Sequence, residues 1–407
     1  MPVPDPVEAG TGAKGHRVAR GMWVLTAVAV LNVAGFSISI PFLSLYLFQS
    51  RGLSMAQVGA VIMVSGLCSA VAQVFSGVLA DRFGRRPMLL SSVFAGTLLQ
   101  FVMAGLIGAD APVAYIVVAY TGVRAALMMG RPAFSAMVAD LSPRERLAEG
   151  YGLLRIGQNV GWAAGPAVGG YLTLSLSYAW LFVFAGLMGV VTLGVVVLFL
   201  RESLGSGGNN EVNVRSLFSG ELSGSFLGFM ALGMLVFLVM GQMVSTLSVY
   251  TVDRAGFSNG QYGTLLTLNG VLVALLQYPV TRVLERTGRA TVLVAGSLLY
   301  GAGYLVLAWV GGFPLAAVSM TIVTLGEIVL APTTLAVVGE LSPHGWRGRY
   351  MGLYGLSETV GMSLGPMVGG LLLDAFPTQP LSIWGTIALL GVAAAAGFGL
   401  WSALTAR

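Results

Sequence analysis

The chain has 407 residues, of which 56% are hydrophobic and 9% charged, where a soluble domain carries about a quarter charged residues. That balance excludes a sizeable soluble domain and places the chain in lipid. Its net charge of +5 follows membrane topology, as the distribution of basic residues below shows, so nucleic acid is not an expected partner.

Residues 1–20 form a polar tail with Lys14, Arg17 and Arg20. Twelve apolar runs follow, each long enough to cross about 30 Å of hydrocarbon: 22–48, 56–80, 88–108, 112–139, 147–174, 178–200, 226–251, 262–284, 290–311, 315–338, 350–373 and 381–404. The first is too long for a signal-peptide core and lacks a cleavage site, so it reads as a retained helix. The break at 201–224 contains Gly-Ser-Gly-Gly-Asn-Asn at 205–210 and reads as a flexible linker. The expected fold is an all-α integral membrane protein of twelve transmembrane helices in two pseudo-symmetric six-helix bundles, 21–200 and 225–404, with a short tail at 405–407.

Even numbers of spans put both termini on one side. With the termini cytoplasmic, sixteen of the 21 Lys and Arg residues fall in the tails and cytoplasmic loops, against Arg51 and Arg254 outside. The positive-inside rule therefore predicts a multi-pass cell-membrane protein with cytoplasmic ends. Cys68 is the single cysteine, and His16 and His344 lie far apart. No disulfide framework, metal site or cofactor is expected, nor is an enzyme: no paired-His, Ser/His or haem-ligand arrangement occurs. A receptor would need a sensor domain that the chain has no room for.

The halves repeat at a separation of 200 residues. Asp140-Leu-Ser-Pro143 recurs as Glu340-Leu-Ser-Pro343, and Gly152, Gly161, Gly165-Pro166 and Gly169 recur as Gly352, Gly361, Gly365-Pro366 and Gly369. Parallel repeats of this kind are related by an axis along the membrane normal. Gly157, Gly161, Gly165 and Gly169 recur every four residues and form a bare ridge on span five, with Ser357, Gly361, Gly365 and Gly369 in the same register on span eleven, where backbones can approach closely. These ridges are expected to be rocking contacts between the halves.

The loop after the second run reads Gly77-Val-Leu-Ala-Asp81-Arg82-Phe-Gly84-Arg85-Arg86. It resembles the signature cytoplasmic loop of the major facilitator superfamily, and a degenerate copy, Glu285-Arg286-Thr-Gly288-Arg289, follows the eighth run. Gly84 permits a tight turn, and Asp81 with the arginines forms a charged cluster able to latch one gate state; Asp140 is the expected partner of Arg82 or Arg85. The pattern Gly152…Gly161…Gly165-Pro166…Gly169 looks like that of drug/proton antiporters in the superfamily. Thr324-Leu-Gly-Glu327…Pro332 is similar to the lactococcal-type multidrug antiporter, which has a glutamate embedded in this helix. The chain departs from that pattern at two positions, Met128 where those antiporters carry glycine and Asn32 where many carry an acid.

Ionisable side chains inside a membrane span are functional candidates because lipid penalises them by at least about 2.5 kcal/mol at the bilayer centre. Five occur: Arg124, Arg131, Arg155, Glu327 and Glu358. The resemblance implies that spans one, four, seven and ten line a cavity. Glu327 aligns with Leu127 in the repeat, on one helical face with Arg124 and Arg131, so those three are expected to meet across the cavity with Asn32 and Met128. Arg155 and Glu358 form a second expected ion pair. Burial favours the neutral acid and a nearby arginine the carboxylate, which makes Glu327 the candidate coupling group. The resulting expectation is a monomeric exporter of amphiphilic or lipophilic compounds, drugs or lipids, driven by the proton gradient. An organic-anion or sugar carrier is the alternative.

Overall fold

The computed structural model describes residues 20–142, 147–203, 222–284, 286–343 and 346–405. Twelve long helices are present among them: α1 Arg20–Leu45, α2 Met55–Phe83, α3 Arg85–Gly108, α4 Val113–Leu141, α5 Leu147–Leu172, α6 Tyr178–Phe199, α7 Gly224–Met240, α8 Asn259–Leu284, α9 Arg289–Val306, α10 Phe313–Leu341, α11 Arg347–Ala375 and α12 Pro380–Thr405. Helices dominate because lipid offers no hydrogen bonds, so each backbone polar group must be satisfied within its own segment. The linker at 204–221, which was expected to be flexible, and the tail at 1–19 lie outside the described residues.

Eleven of the helices are long and apolar enough to cross a membrane. The exception is α5, whose sequence carries Arg155, Gln158 and Asn159. It is packed against α1 on one side and α8 on another, and it presents Ile156, Val160, Val168 and Tyr171 outward. Elsewhere large apolar side chains such as Phe94, Val118, Leu198 and Leu275 are exposed. So much outward apolar surface identifies a lipid-facing exterior, and the chain is a multi-pass membrane protein.

The helix contacts are pseudo-symmetric. In the first half α1 packs on α5 and α6, α2 on α4, and α3 on α4 and α6; in the second α7 packs on α11 and α12, α8 on α10, and α9 on α10 and α12. The halves meet where α2 crosses α11 and α5 crosses α8. Gly263 and Gly270 of α8 lie against Pro166 and Ala163 of α5, while Gly59 and Gly66 of α2 lie against Pro366 and Ser363 of α11.

The glycine ridges do a different job from the one expected. Gly157, Gly161, Gly165 and Gly169 all face α1, and Gly361, Gly365 and Gly369 all face α7 and its extension. They hold each half together rather than sliding between halves. Close approach there lets Ser37 Oγ donate to the Gly161 carbonyl at 3.0 Å and Gln242 Nε2 donate to the Gly365 carbonyl at 2.9 Å. Gly152 meets no neighbouring atom within 4 Å and is not a contact glycine.

Past Met240, α7 breaks into a 3-10 turn Gly241–Met243, a short helix Thr246–Val249 and a π turn Tyr250–Arg254. Arg254 there donates to the Leu373, Phe376 and Pro377 carbonyls at the end of α11. Arg51, after a π turn Tyr46–Ser50, pairs with Asp110 and donates to the Ala111 carbonyl. Both basic residues expected on the outer side are therefore held by local acceptors.

Candidate functional site: a charged cavity between two halves

At the end of the bundle opposite the chain termini the halves are sealed. Asp374, in the last turn of α11, accepts from the backbone N–H groups of Met55 at 3.0 Å and Ala56 at 2.7 Å. A carboxylate from one half thus caps the positive end of α2 in the other. Asn259 Nδ2 donates to Tyr178 Oη at 3.2 Å, Phe42 meets Tyr262 edge-on, and Thr267 Oγ1 donates to the Ala163 carbonyl at 2.7 Å. Sequence reasoning missed Asp374, although an acid closing an apolar span opposite a Ser54-x-x-Gln57 capping box was a usable signal.

Towards the terminal end the halves face each other through charged side chains. In α4, Gly122 and Gly130 face α3, Tyr115 and Val118 face outward, and Leu127 faces a cleft inside the first half, which leaves Arg124, Met128 and Arg131 on the inner face. In α11, Ser363, Pro366 and Gly370 face α2 while Gly361 and Gly365 face α7. Glu358 lies on the inner face between those sides, opposite outward Leu371. Arg131 Nη2 and Glu358 Oε1 are 3.7 Å apart, with side chains 45% and 38% exposed, so this cross-half pair lines open space.

These partners differ from those expected. Arg131 pairs with Glu358, not Glu327, and Arg155 does not pair with Glu358. Glu327 is partly buried inside the second half, where Asn269 Nδ2 of α8 donates to its Oε2 at 2.9 Å and to Thr324 Oγ1 at 3.0 Å. Arg155 is the basic side chain that acts on Glu327 electrostatically. Arg155 Nη2 itself donates to Gln277 Oε1 at 3.1 Å. Gln277 Nε2 in turn donates to the Ile328 carbonyl at 3.0 Å. That carbonyl is free because Pro332, four residues on, has no N–H. Asn269 and Gln277 were also missed; both are amides in the middle of an apolar span. Met128 is half-buried, and Asn32 lines a narrow cleft inside the first half with Thr97, Gln100 and Leu127.

At the terminal end the signature loop turns at Gly84, whose φ of +99° excludes most side chains. Arg85 pairs with Asp140, as expected, and its Nη1 donates to the Ala136 carbonyl at 3.2 Å. Glu202 accepts from the Arg85 and Arg86 backbone N–H groups at 3.2 and 3.0 Å, and Ser203 Oγ donates to Asp140 at 2.7 Å. Arg86 Nη2 donates to the Val197 carbonyl. Arg82 stacks on Phe83 rather than joining Asp140, and Gly77 faces Pro132 of α4. The second half repeats the device in Arg289 and Glu340. The side chain of Asp81, and Glu285, lie outside the described residues. No group of three or more His, Cys, Asp or Glu side chains suited to a metal occurs among the described residues.

The fold has close structural relatives. The crystal structure of a POT family transporter in complex with a thioalcohol-conjugated peptide superposes with a TM-score of 0.82 over 97% of this chain and 98% of that one, at 16% identity. In sequence, the quinolone resistance protein NorA of Staphylococcus aureus (strain MSSA476) is 23% identical, covering 91% of this chain and 94% of its own. A Na(+), Li(+), K(+)/H(+) antiporter of Planococcus maritimus is 25% identical, covering 82% and 84%. The family model described as Major Facilitator Superfamily matches residues 25–263 and 230–406. With its paired six-helix halves and its signature loop, the chain belongs to the Major Facilitator Superfamily of transporters.

Proposed function

We propose that the protein is a secondary active exporter of amphiphilic or lipophilic compounds, driven by proton antiport and working by alternating access in the cell membrane with both termini cytoplasmic. The observation that carries this reading is Glu327, an acid set halfway along α10 and held by Asn269 beside Thr324. A carboxyl in such a place can take a proton from one side and release it to the other. Relatives add support, since one is described as a cation/H(+) antiporter and one as a quinolone resistance protein.

In this reading the conformation is inward-facing, sealed outside by Asp374 on α2 and by the α5–α8 crossing, with the cavity reached from the cytoplasm. Separation of α2 from α11 and of α5 from α8 opens the outside. The Arg85–Asp140 cluster, with Asp81, belongs to the cytoplasmic latch. Protonation of Glu327 removes a negative charge that Asn269 and Arg155 otherwise compensate, so the loads on α8 and α5 change with its state. Glu327→Gln in proteoliposomes is the test. The variant should still exchange a lipophilic dye across the membrane but fail to accumulate it against an imposed proton gradient. Uphill pumping with the wild-type response to pH would remove Glu327 from coupling.

A further inference from the structure

The embedded charges do not balance. Three arginines, Arg124, Arg131 and Arg155, come from the first half, and two acids, Glu327 and Glu358, from the second. Arg131 is matched by Glu358 at 3.7 Å. Arg155 is matched by Gln277 and by the field of Glu327. Arg124 has no hydrogen bond or ion pair among the described residues, and its Nε is buried without an acceptor.

Its position is not that of a structural cation. Arg124 stands halfway along α4, where α2 crosses α11 and closes the cavity: its Nη2 lies 3.7 Å from the point that a Cβ on Gly66 would occupy, beside Ser363. Ser363 Oγ donates to the Thr359 carbonyl, and no hydrogen bond joins it to Arg124 among the described residues. Buried Tyr120 lies one turn toward the sealed end, and half-buried Met128 follows one turn toward the open end. A guanidinium held at mid-membrane without a counter-charge is costly unless something supplies one. Its fork of donors suits carboxylate, sulfonate or phosphate oxygens.

We propose that Arg124 seats the negatively charged group of the substrate, so that the compounds carried are amphiphilic anions whose apolar part runs along Met128. This deepens the exporter reading and rests on it for the direction of passage. The apolar contacts alone do not select for charge; the unmatched guanidinium does.

The test is equilibrium binding in phosphatidylcholine nanodiscs without any gradient, using three probes of one chain length: dodecyl sulfonate, dodecyltrimethylammonium and dodecyl maltoside. Dodecyl sulfonate should bind in preference to the cation. Arg124→Gln should weaken it at least tenfold, and Arg124→Lys by less, with maltoside binding unchanged in both as a check on folding. Adding phosphatidylglycerol separates the sources of the anion. Competition seen in the wild type and lost in Arg124→Gln assigns the seat to an anionic lipid, and lack of competition assigns it to a soluble anionic amphiphile. Preference for the cation, or unaltered sulfonate affinity in Arg124→Gln, overturns the proposal. If sulfonate binding depends on Arg124 but proton-driven pumping is never observed, the exporter reading falls and the anion seat stands.

Discussion

Two alanine substitutions that look alike should have opposite consequences. A Cβ on Gly263 would strike the Pro166 carbonyl oxygen and come within 3.0 Å of its carbon and 3.3 Å of Gly170 Cα, across the boundary between halves. A Cβ on Gly161 would lie 2.6 Å from the Val30 carbonyl oxygen and 2.9 Å from Ala34 N, inside the first half. Overpacking of this kind costs about 1–3 kcal/mol. In the proposed alternating-access cycle the α1–α5 contact at Gly161 persists whichever end is open, so that cost falls on both conformations and lowers stability alone. In the same cycle the Gly263 contact exists only while the end opposite the termini is sealed. The same penalty then shifts the sealed/open equilibrium roughly 5- to 150-fold toward opening. Double electron–electron resonance between labels at the loop ends of α5 and α8, after Cys68 is replaced, reads this directly. Gly263→Ala should lengthen the distance and Gly161→Ala should not. Equal distances in both variants, or an equal shift in both, would refute the assignment of the two glycine sets.

Asp374→Asn removes the negative charge from the positive end of α2, worth about 0.3–1 kcal/mol, and should raise labelling of an Ala56→Cys reporter; unchanged labelling would leave Asp374 without a gating role. Gly84→Ala forces a side chain into φ of +99° and ψ of 153°, at about 1–3 kcal/mol. It should slow turnover while ligand affinity holds, and normal turnover would count against a turn that must be glycine. Gln277→Leu strands both the Ile328 carbonyl and Arg155, at about 1–3 kcal/mol for each unsatisfied group, so thermal stability should drop. A melting temperature equal to wild type would mean that the bridge between α5, α8 and α10 contributes nothing.

Much of the architecture was legible because lipid imposes it. The twelve runs and the repeat emerged from apolar length and spacing, and the Arg85–Asp140 pair from two charged ends brought together by a tight turn at Gly84. The glycine ridges were seen, but four-residue spacing reveals only that a helix has a bare stripe, not which neighbour fills it. On α5 the stripe at Gly157, Gly161 and Gly165 faces α1, while Ala163, Pro166 and Gly170 face α8. The seven-residue pairs Gly59/Gly66 and Gly263/Gly270 marked the true boundary on α2 and α8, and such a pair is faint because only two turns of each helix carry it.

The mispaired charges have a geometric cause. Alignment of the repeat puts Glu327 over Leu127, and Leu127 lies in the cleft within its own half beside Asn32, so the equivalent place in the second half is also internal. Depth was the better guide. Arg131 lies ten positions from the end of α4 at Leu141, and Glu358 eleven positions from the start of α11 at Arg347, both counted from the terminal end of the bundle. Glu327 lies fourteen positions from Leu341. At about 1.5 Å per residue, Arg131 and Glu358 differ by one rise and Arg131 and Glu327 by four, or about 6 Å, which a guanidinium that also has Glu358 at its own level has no reason to span. Arg124, seventeen positions from Leu141, stands above every acid in the cavity by the same count. Depth thus explains who pairs with Arg131, while Arg124, only three rises from Glu327, is left without an acid because Glu327 is turned into its own half and held there by Asn269.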